Sequence, residues 1–477
     1  MNPLLIAKFL GWLLIGLSAM QLLPTIAAAI FGEPVLPYAA SAMIALACGL
    51  PIVIGVRVED TQMRIRDGYL VVIAAWVLAS AFGSLPYDLT DTLEPVDSLF
   101  ESVSGFTTTG STVMSHIAGV PRALLLWRSM TQWIGGMGII LFAVALMPLL
   151  GIGGMHLFRA EVPGPVADKL TPRIAETARR LWFIYVGLTA LEWIALVVAG
   201  MTPYEALCHA LTTLSTGGFS TNDKSIGGFN SPLVEWIVIV FMLLASINFV
   251  IHYRLMVGQI RSALGDAELR YYLLLLAGAT AVVVWALSHA NQTASVRIAL
   301  FQVISIATTT GYATADFETW PALALLVILQ LMFLGGMAGS TSGGVKSLRA
   351  LIGLRAMASV FNRFGHRSAV RHPVRYGGKA VPDRVLAAIW AFFALYIIIV
   401  TAVALIVAAA GYDIVTALTA ALTAVGNVGP GLGQIGPYDN FAVFPPLVKL
   451  TLCGAMIAGR LELFTVLVIF RSDFWKR

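Results

Sequence analysis

Charge is scarce in this sequence. Asp, Glu, Lys and Arg make up 12% of its 477 residues, where a soluble globular chain carries about 25%. With 58% hydrophobic residues and a mean hydropathy of +0.85, the deficit argues against a soluble domain and for a protein that crosses a membrane several times. Cysteine is scarce as well. Cys48, Cys208 and Cys453 lie in or beside apolar segments, and three cysteines without metal-like spacing support neither a disulfide framework nor a zinc site. The histidines (His116, His156, His209, His252, His289, His366 and His372) are scattered. They form no set of nucleophile, base and acid, so the chain is not read as an enzyme. A pI near 9.1 comes from basic residues in short loops between apolar segments, which is a poor basis for nucleic-acid binding.

What is present is long apolar runs. Residues 9–31 and 36–56 read as two spans. Ala27-Ala28-Ala29 resembles a signal-cleavage site, but the run is too long for a signal core and little basic character precedes it. After residue 67 one order recurs four times: a span, a short segment with a polar start, a Thr/Gly-rich loop, and a second span. The units are 68–87, 97–107 and 122–150; then 181–200, 204–214 and 232–257; then 271–289, 295–307 and 321–362; then 384–410, 413–424 and 442–470. A period of about a hundred residues marks a repeat architecture. The corresponding divisions are 1–66, a two-helix extension, followed by repeats at 67–170, 171–262, 263–375 and 376–477. The fold class is therefore an all-α integral membrane protein with four pseudo-repeats around one central pore.

The short segments cannot cross a bilayer, which needs roughly 20 apolar residues. Asp97, Thr202, Ser295 and Asp413 are plausible helix starts, because each can cap free backbone N–H groups. Such segments enter, stop, and return through the loops at 107–112, 214–220, 308–313 and 424–430. Irregular backbone at membrane depth survives only where it is buried in protein or lines water, so the four loops imply a shared polar axis.

The expected ion-lining residues are Thr108, Thr109 and Gly110; Ser215, Thr216 and Gly217; Thr309, Thr310 and Gly311; and Val425, Gly426 and Asn427. The equivalent glycines are read as Gly110, Gly217, Gly311 and Gly426. A dehydrated cation needs oxygen ligands, and a ring of backbone carbonyls contributed four times supplies them. Glycine permits the backbone angles required.

Basic residues cluster on the side away from these loops: Arg57, Arg64 and Arg66; Arg159, Lys169, Arg173, Arg179 and Arg180; Arg254, Arg261 and Arg270; and nine from Lys346 to Arg384. The C-terminus adds Arg471, Lys476 and Arg477, while the loop side holds little beyond Lys224 and Arg297. The positive-inside rule then places ten spans with both termini in the cytoplasm and the loops opening outward.

Two features stand below the loops. The second span of repeat 3 is interrupted by Gly335-Gly336-Met337-Ala338-Gly339-Ser340-Thr341-Ser342-Gly343-Gly344-Val345-Lys346. Glycine costs about 1 kcal/mol per helical position, so this stretch reads as a flexible loop across the pore. It is no nucleotide loop, because Val345 separates Gly344 from Lys346 and no strand precedes it. Arg460 lies inside the last apolar span, where a charge is costly and functional by default. Glu462 is two residues away and points to another helix face, so it is a poor partner. Glu101 reads as a brace of its short helix, Glu192 and Asn248 as ties between spans, and His209 and His116 as satisfied local histidines.

Phe100-Glu101-Ser102-Val103-Ser104-Gly105-Phe106-Thr107-Thr108-Thr109-Gly110, Ser215-Thr216-Gly217-Gly218-Phe219, Thr309-Thr310-Gly311-Tyr312 and Gly426-Asn427-Val428-Gly429-Pro430-Gly431 resemble the filters of the TrkH/TrkG/KtrB superfamily of potassium transporters. The likeness covers nearly the whole chain, and the extra N-terminal pair resembles the TrkH/TrkG branch. It implies potassium uptake across a bacterial inner membrane, a homodimer with one pore per chain, and a separate cytosolic nucleotide-binding regulator of the TrkA type. Segment 346–384 is then a candidate docking surface. It further implies that Gly335, Gly336, Gly339, Ser340, Thr341, Ser342, Gly343, Gly344 and Lys346 form a gating loop, and that Arg460 projects into the pore. Plant HKT transporters share this architecture, and there a Ser at the first filter glycine accompanies sodium preference; Gly110 favours potassium. The alternative is a sodium-permeable or proton- or sodium-coupled symporter of the same fold.

Overall fold

The computed structural model describes residues 1–58, 64–145, 170–290, 292, 295–365 and 373–475. Arg159, Lys169, His156, His366, His372, Lys476 and Arg477 lie outside the described residues, as does the end of the 122–150 span. The described chain is helical, apart from one antiparallel pairing of Arg375–Tyr376 with Lys379–Ala380. That is the expected answer to an apolar sequence, since a helix satisfies its own backbone groups where water is absent.

Six helices are long and apolar enough to cross a membrane: Pro3–Phe31, Leu36–Gly55, Arg66–Leu89, Glu176–Val198, Ala267–His289 and Asp383–Ala409. Two expected spans are bent instead of straight. Pro232–Ser246 meets Phe249–Met256 at 100°, and Pro446–Arg460 meets Leu463–Phe470 at 113°. The first bend has a hydrogen-bonding cause. Asn248 caps the second helix through Val250 N, and the Ser246 carbonyl accepts from Met337 N instead of from its own helix. At the second, Glu462 adopts φ 64°, outside the helical region. Of the ten expected spans, the other two hold the positions of Arg122–Ala145, which carries Arg122 and Arg128, and of the repeat-3 span, split into Ala322–Leu334 and Ser347–Gly365.

The short helices are Pro95–Phe106, Pro203–Leu214, Val296–Ala307 and Ile414–Gly426. Thr202 and Asp413 cap theirs as expected, Thr202 through Glu205 N and Asp413 through Val415 N and Thr416 N. Ser295 holds the cap position without a cap bond. Asp97 differs. Pro95 starts the first helix earlier with Glu94 at the cap, because proline's fixed φ suits the first helical position. Asp97 therefore stands inside the first turn and pairs with Lys449 of the last repeat.

Each short helix packs against the second span of the preceding repeat. Pro203–Leu214 meets Arg122–Ala145, Val296–Ala307 meets Pro232–Ser246, and Ile414–Gly426 meets Ala322–Leu334. Pro446–Arg460 closes the circle on Pro95–Phe106. The N-terminal pair packs outside this ring, against Ile65–Gly83 and, through Pro3–Phe31, Arg122–Ala145. Arg122, Arg128 and Lys449 also stand toward the loop side. Arg128 and Lys449 are buried against carboxylates, and Arg122 lies over the rings of Phe31 and Tyr204.

Close helix approach relies on small residues. A Cβ on Gly135 would lie 1.9 Å from the Phe106 carbonyl oxygen, and one on Gly459 would lie 2.0 Å from that of Val425. Gly135→Ala is expected to destabilise the protein by about 1–3 kcal/mol, the usual cost of overpacking. Gly278, with nothing within 4 Å of its added Cβ, serves as the control for Ala substitution. Thermal unfolding in detergent checks this: an unchanged midpoint for Gly135→Ala contradicts the packing described.

Candidate functional site

The end of each short helix is built the same way. A non-glycine residue takes the left-handed conformation: Thr108 (φ 52°), Thr216 (52°), Thr309 (58°) and Asn427 (53°). The next N–H donates five residues back, from Thr109 to Ser104 O, Gly217 to Thr212 O, Thr310 to Ser305 O and Val428 to Thr423 O. A glycine at positive φ follows: Gly110 (85°), Gly218 (77°), Gly311 (81°) and Gly429 (105°). Left-handed backbone costs an L-residue roughly 1–2 kcal/mol. Four such residues in register are held there by their surroundings.

This register differs from the expected one in two repeats. The glycine equivalent to Gly110 and Gly311 is Gly218 rather than Gly217, and Gly429 rather than Gly426. Ser215 is the right-handed cap of its helix, with Oγ bonded to Leu211 O and Thr212 O. Val425 and Gly426 are the last residues of theirs, because the fourth helix continues to Gly426. Gly217 takes the place held by Thr109 and Thr310. Gly218, Val428 and Gly429 stand in the ring although the sequence reading did not single them out.

The glycines meet one another's loops in a closed cycle. A Cβ on Gly110 would lie 2.1 Å from Gly217 O, on Gly218 1.8 Å from Thr310 O, on Gly311 2.3 Å from Val428 O, and on Gly429 2.9 Å from Thr109 O. Any side chain here collides with backbone. The carbonyls of Thr109, Gly217, Thr310 and Val428 thus form one layer, each against the glycine of the neighbouring loop. Among the described residues no donor reaches the carbonyls of Thr109, Thr310 or Val428, while Gly217 O accepts from Gln132 Nε2 at 2.7 Å. Above the layer lies a cavity lined by the four glycines with Asp223 and Asp439. In the outer loops nearby, Glu318 accepts from Gly433 N; burial, abetted by Asp316 and Asp439, pushes its carboxyl above the usual range.

Two buried side-chain systems hold the first two loops. Glu101 accepts from Thr112 Oγ1, Val113 N and Arg128 Nε, the last at 2.6 Å. Arg128 also donates to Ser220 O at 3.0 Å, and its guanidinium lies 3.5 Å from the Phe219 ring centre. Gln132 grips loop two on both sides, accepting from Phe219 N at 3.1 Å while donating to Gly217 O. The sequence signal for Arg128 and Gln132 was their polarity in an apolar helix. Opposite, Tyr312 donates to or accepts from Thr212 Oγ1 at 2.5 Å.

Segment 335–346 is non-helical, as expected, and lies under the helix ends. Its neck closes through Val345 N to Phe333 O and Ser347 N to Gly336 O. A Cβ on Gly335 would lie 2.4 Å from Gly343 O, and one on Gly344 2.4 Å from Leu334 O. One limb pairs with the break in repeat 2, Met337 N to Ser246 O and Phe249 N to Gly339 O. Ser340 Oγ turns back to Met337 O, and Lys346 Nζ bonds Ser342 O. At the far end Thr341 Oγ1 donates to Leu214 O and Ala245 O, and Gly343 N donates to Thr309 Oγ1 at 2.7 Å. The segment thus bonds groups of repeats 2 and 3, and a Cβ on its Gly343 would lie 2.3 Å from Gly426 O of repeat 4.

Arg460 is 3% exposed. Its Nη1 donates to Thr341 O at 2.7 Å, while Nε and Nη2 have no hydrogen-bond partner among the described residues. Glu462 is no partner: it pairs with Arg349. A buried cation therefore leans on the crossing segment with donors to spare. His209 is satisfied by Glu205 O and Ser220 Oγ. Glu192 is fully buried, with the Thr213 side chain of the adjoining short helix beside it.

Comparison with known proteins places this geometry. The TrkH family model, described as "Cation transport protein", matches residues 39–477. The chain is 38% identical over 486 residues to the Trk system potassium uptake protein TrkH of Salmonella typhimurium, covering 99% of each chain. It is 39% identical over 422 residues to the Trk system potassium uptake protein TrkG of Escherichia coli (strain K12), covering 87% of this chain and 86% of that one. The crystal structure of the potassium transporter TrkH from Vibrio parahaemolyticus superimposes with a TM-score of 0.92 at 36% identity, covering 100% of both chains.

Removing Arg128 leaves the Glu101 carboxylate buried without its cation, which costs about 3–5 kcal/mol. Arg128→Met is expected to lower the unfolding midpoint sharply, and Glu101→Gln with Arg128→Met to recover much of the loss. Equal midpoints for the single and double variants would sink the assignment of this pair as the brace.

Proposed function

This chain belongs to the TrkH family of cation transport proteins, and on that footing we propose that it takes up potassium through a pore on the axis of its four repeats. The observation that carries the reading is the closed cycle of glycine against neighbouring carbonyl. A layer of four backbone carbonyls, three of them without a protein donor among the described residues, suits a cation that has shed its water. The short helices end at this layer, and their partial negative ends favour a cation there. The selective elements are Thr108–Gly110, Thr216–Gly218, Thr309–Gly311 and Asn427–Gly429. The two-helix extension 1–66 and repeats at 67–170, 171–262, 263–375 and 376–477 belong to the same proposal.

Flux is limited below the layer by the 335–346 loop and Arg460. The support is the contact of Arg460 with Thr341 O and its remaining unpartnered donors; a cation at that depth repels the transported ion. Names of the relatives support a Trk system; a cytosolic nucleotide-binding regulator acting from the basic side, with segment 346–384 as docking surface, belongs to the same proposal. The basic-residue distribution supports loops facing the periplasm and both termini in the cytoplasm of an inner membrane. A homodimer with one pore per chain is part of the same proposal.

Purified protein in liposomes, assayed for potassium, rubidium and sodium uptake with and without a proton gradient, tests this. Potassium and rubidium flux that exceeds sodium is the expected outcome; flux that requires the proton gradient favours the symporter alternative. Gly110→Ser, whose Cβ would sit 2.1 Å from Gly217 O, is expected to lose potassium-over-sodium discrimination, and retained discrimination contradicts the ring as filter. Arg460→Ala is expected to raise flux at equal reconstituted protein. Unchanged flux removes Arg460 from the barrier.

A further inference from the structure

Glu268 stands in the first turn of Ala267–His289 and is 2% exposed. Among the described residues no cation bonds to it. One of its oxygens, Oε1, accepts two hydrogen bonds, from Ala338 N at 2.8 Å and from Ser347 Oγ at 2.7 Å. Those donors stand on either side of the 335–346 segment's turn: Ala338 is on the way in, and Ser347, just past the segment, opens the helix that follows. A single buried oxygen therefore ties the two limbs together. The helix start does not require this carboxylate, because Asp266 already caps Glu268 N and Leu269 N.

A carboxylate buried among apolar spans is costly unless its acceptors are used. Among the described residues both hydrogen bonds of the carboxylate run to the 335–346 segment and its exit. The other anchors of that segment come from repeat 2, through Ser246 O, Ala245 O and Leu214 O, and from Thr309 and Arg460. Glu268 adds an anchor from the first span of repeat 3. It is continuous with the short connection through Asp266 and the helix Ile260–Leu264.

We propose that Glu268 is a positioning residue that clamps the crossing loop in the conformation presenting the Thr341 carbonyl to Arg460, and so sets the resting flux. The proposal rests on the reading of that loop and Arg460 as the barrier. Displacing the connection before Ala267 would move the Glu268 carboxylate with its helix, and the loop with it. This gives the barrier a lever outside the pore.

Rubidium influx into liposomes tests the clamp, with Glu268→Ala, Glu268→Gln, Ser347→Ala, Arg460→Ala and the Glu268→Ala/Arg460→Ala double variant at equal reconstituted protein. Glu268→Ala is expected to raise influx at least tenfold, since each hydrogen bond to a charged acceptor is worth about that factor. Glu268→Gln keeps an acceptor oxygen for both donors and should return influx toward the unsubstituted protein. Ser347→Ala loses one bond and should fall between. The double variant should run no faster than Arg460→Ala, because both changes act through one contact. Unchanged influx in Glu268→Ala beside raised influx in Arg460→Ala overturns the clamp, and so does full additivity in the double variant. Should Glu268→Ala fail to fold, unchanged influx in Ser347→Ala overturns it by itself. No rise in Arg460→Ala brings down the barrier reading first, and the clamp with it.

Discussion

At four points in this molecule a glycine lies so close to the next loop's carbonyl that a side chain could not be added without moving backbone. The contacts run from Gly110 to Gly217, from Gly218 to Thr310, from Gly311 to Val428 and from Gly429 back to Thr109. Much else follows from the need to bring these points together. The left-handed residues Thr108, Thr216, Thr309 and Asn427 turn the chain out of its short helix toward the ring. Each short helix is held by the second span of the repeat before it. Glycines such as Gly135 and Gly459 let those spans press onto the helix ends. Glu101, Arg128 and Gln132 fix the first two loops from behind.

Fourfold likeness ends below the ring. Among the described residues only the third repeat inserts a glycine-rich segment into its second span, and that segment takes hydrogen bonds that helices of repeat 2 would otherwise keep to themselves. The bends at Ile247 and Leu461 are part of the same asymmetry. One frees Ser246 O and Ala245 O for the segment, and the other leaves Arg460 against Thr341 while Glu462 turns to Arg349. On the proposed reading the division of labour is physical: a symmetric layer suits an ion on an axis, whereas control needs one movable part against fixed neighbours.

Composition and periodicity made much of this legible. The charge deficit gave the membrane, the hundred-residue period gave the repeats, and the poor geometry of Arg460 with Glu462 anticipated that they would part company. The Thr/Gly stretches do follow the short helices, but the expected glycine falls one residue early in repeat 2 and three early in repeat 4. Gly217 and Gly218 are adjacent, and Gly426 and Gly429 straddle the turn, so spacing cannot choose between them; the residue at which each helix ends does. Asp97 looked like a cap because Glu94 before Pro95 is a weaker cap type, yet the proline sets the start. Arg128 and Gln132 were passed over because a polar residue in an apolar helix does not say what it faces. Glu268 shows the same limit: its partners, Ala338 and Ser347, are some seventy residues away or more.

On the proposed reading the four loops make one cation site. Diffraction from crystals grown with rubidium or thallium, with the anomalous signal located on the structure, tests it most directly. Density is expected on the axis beside the carbonyls of Thr109, Gly217, Thr310 and Val428. An empty axis, with the ion bound elsewhere in a protein that transports it, would contradict the claim.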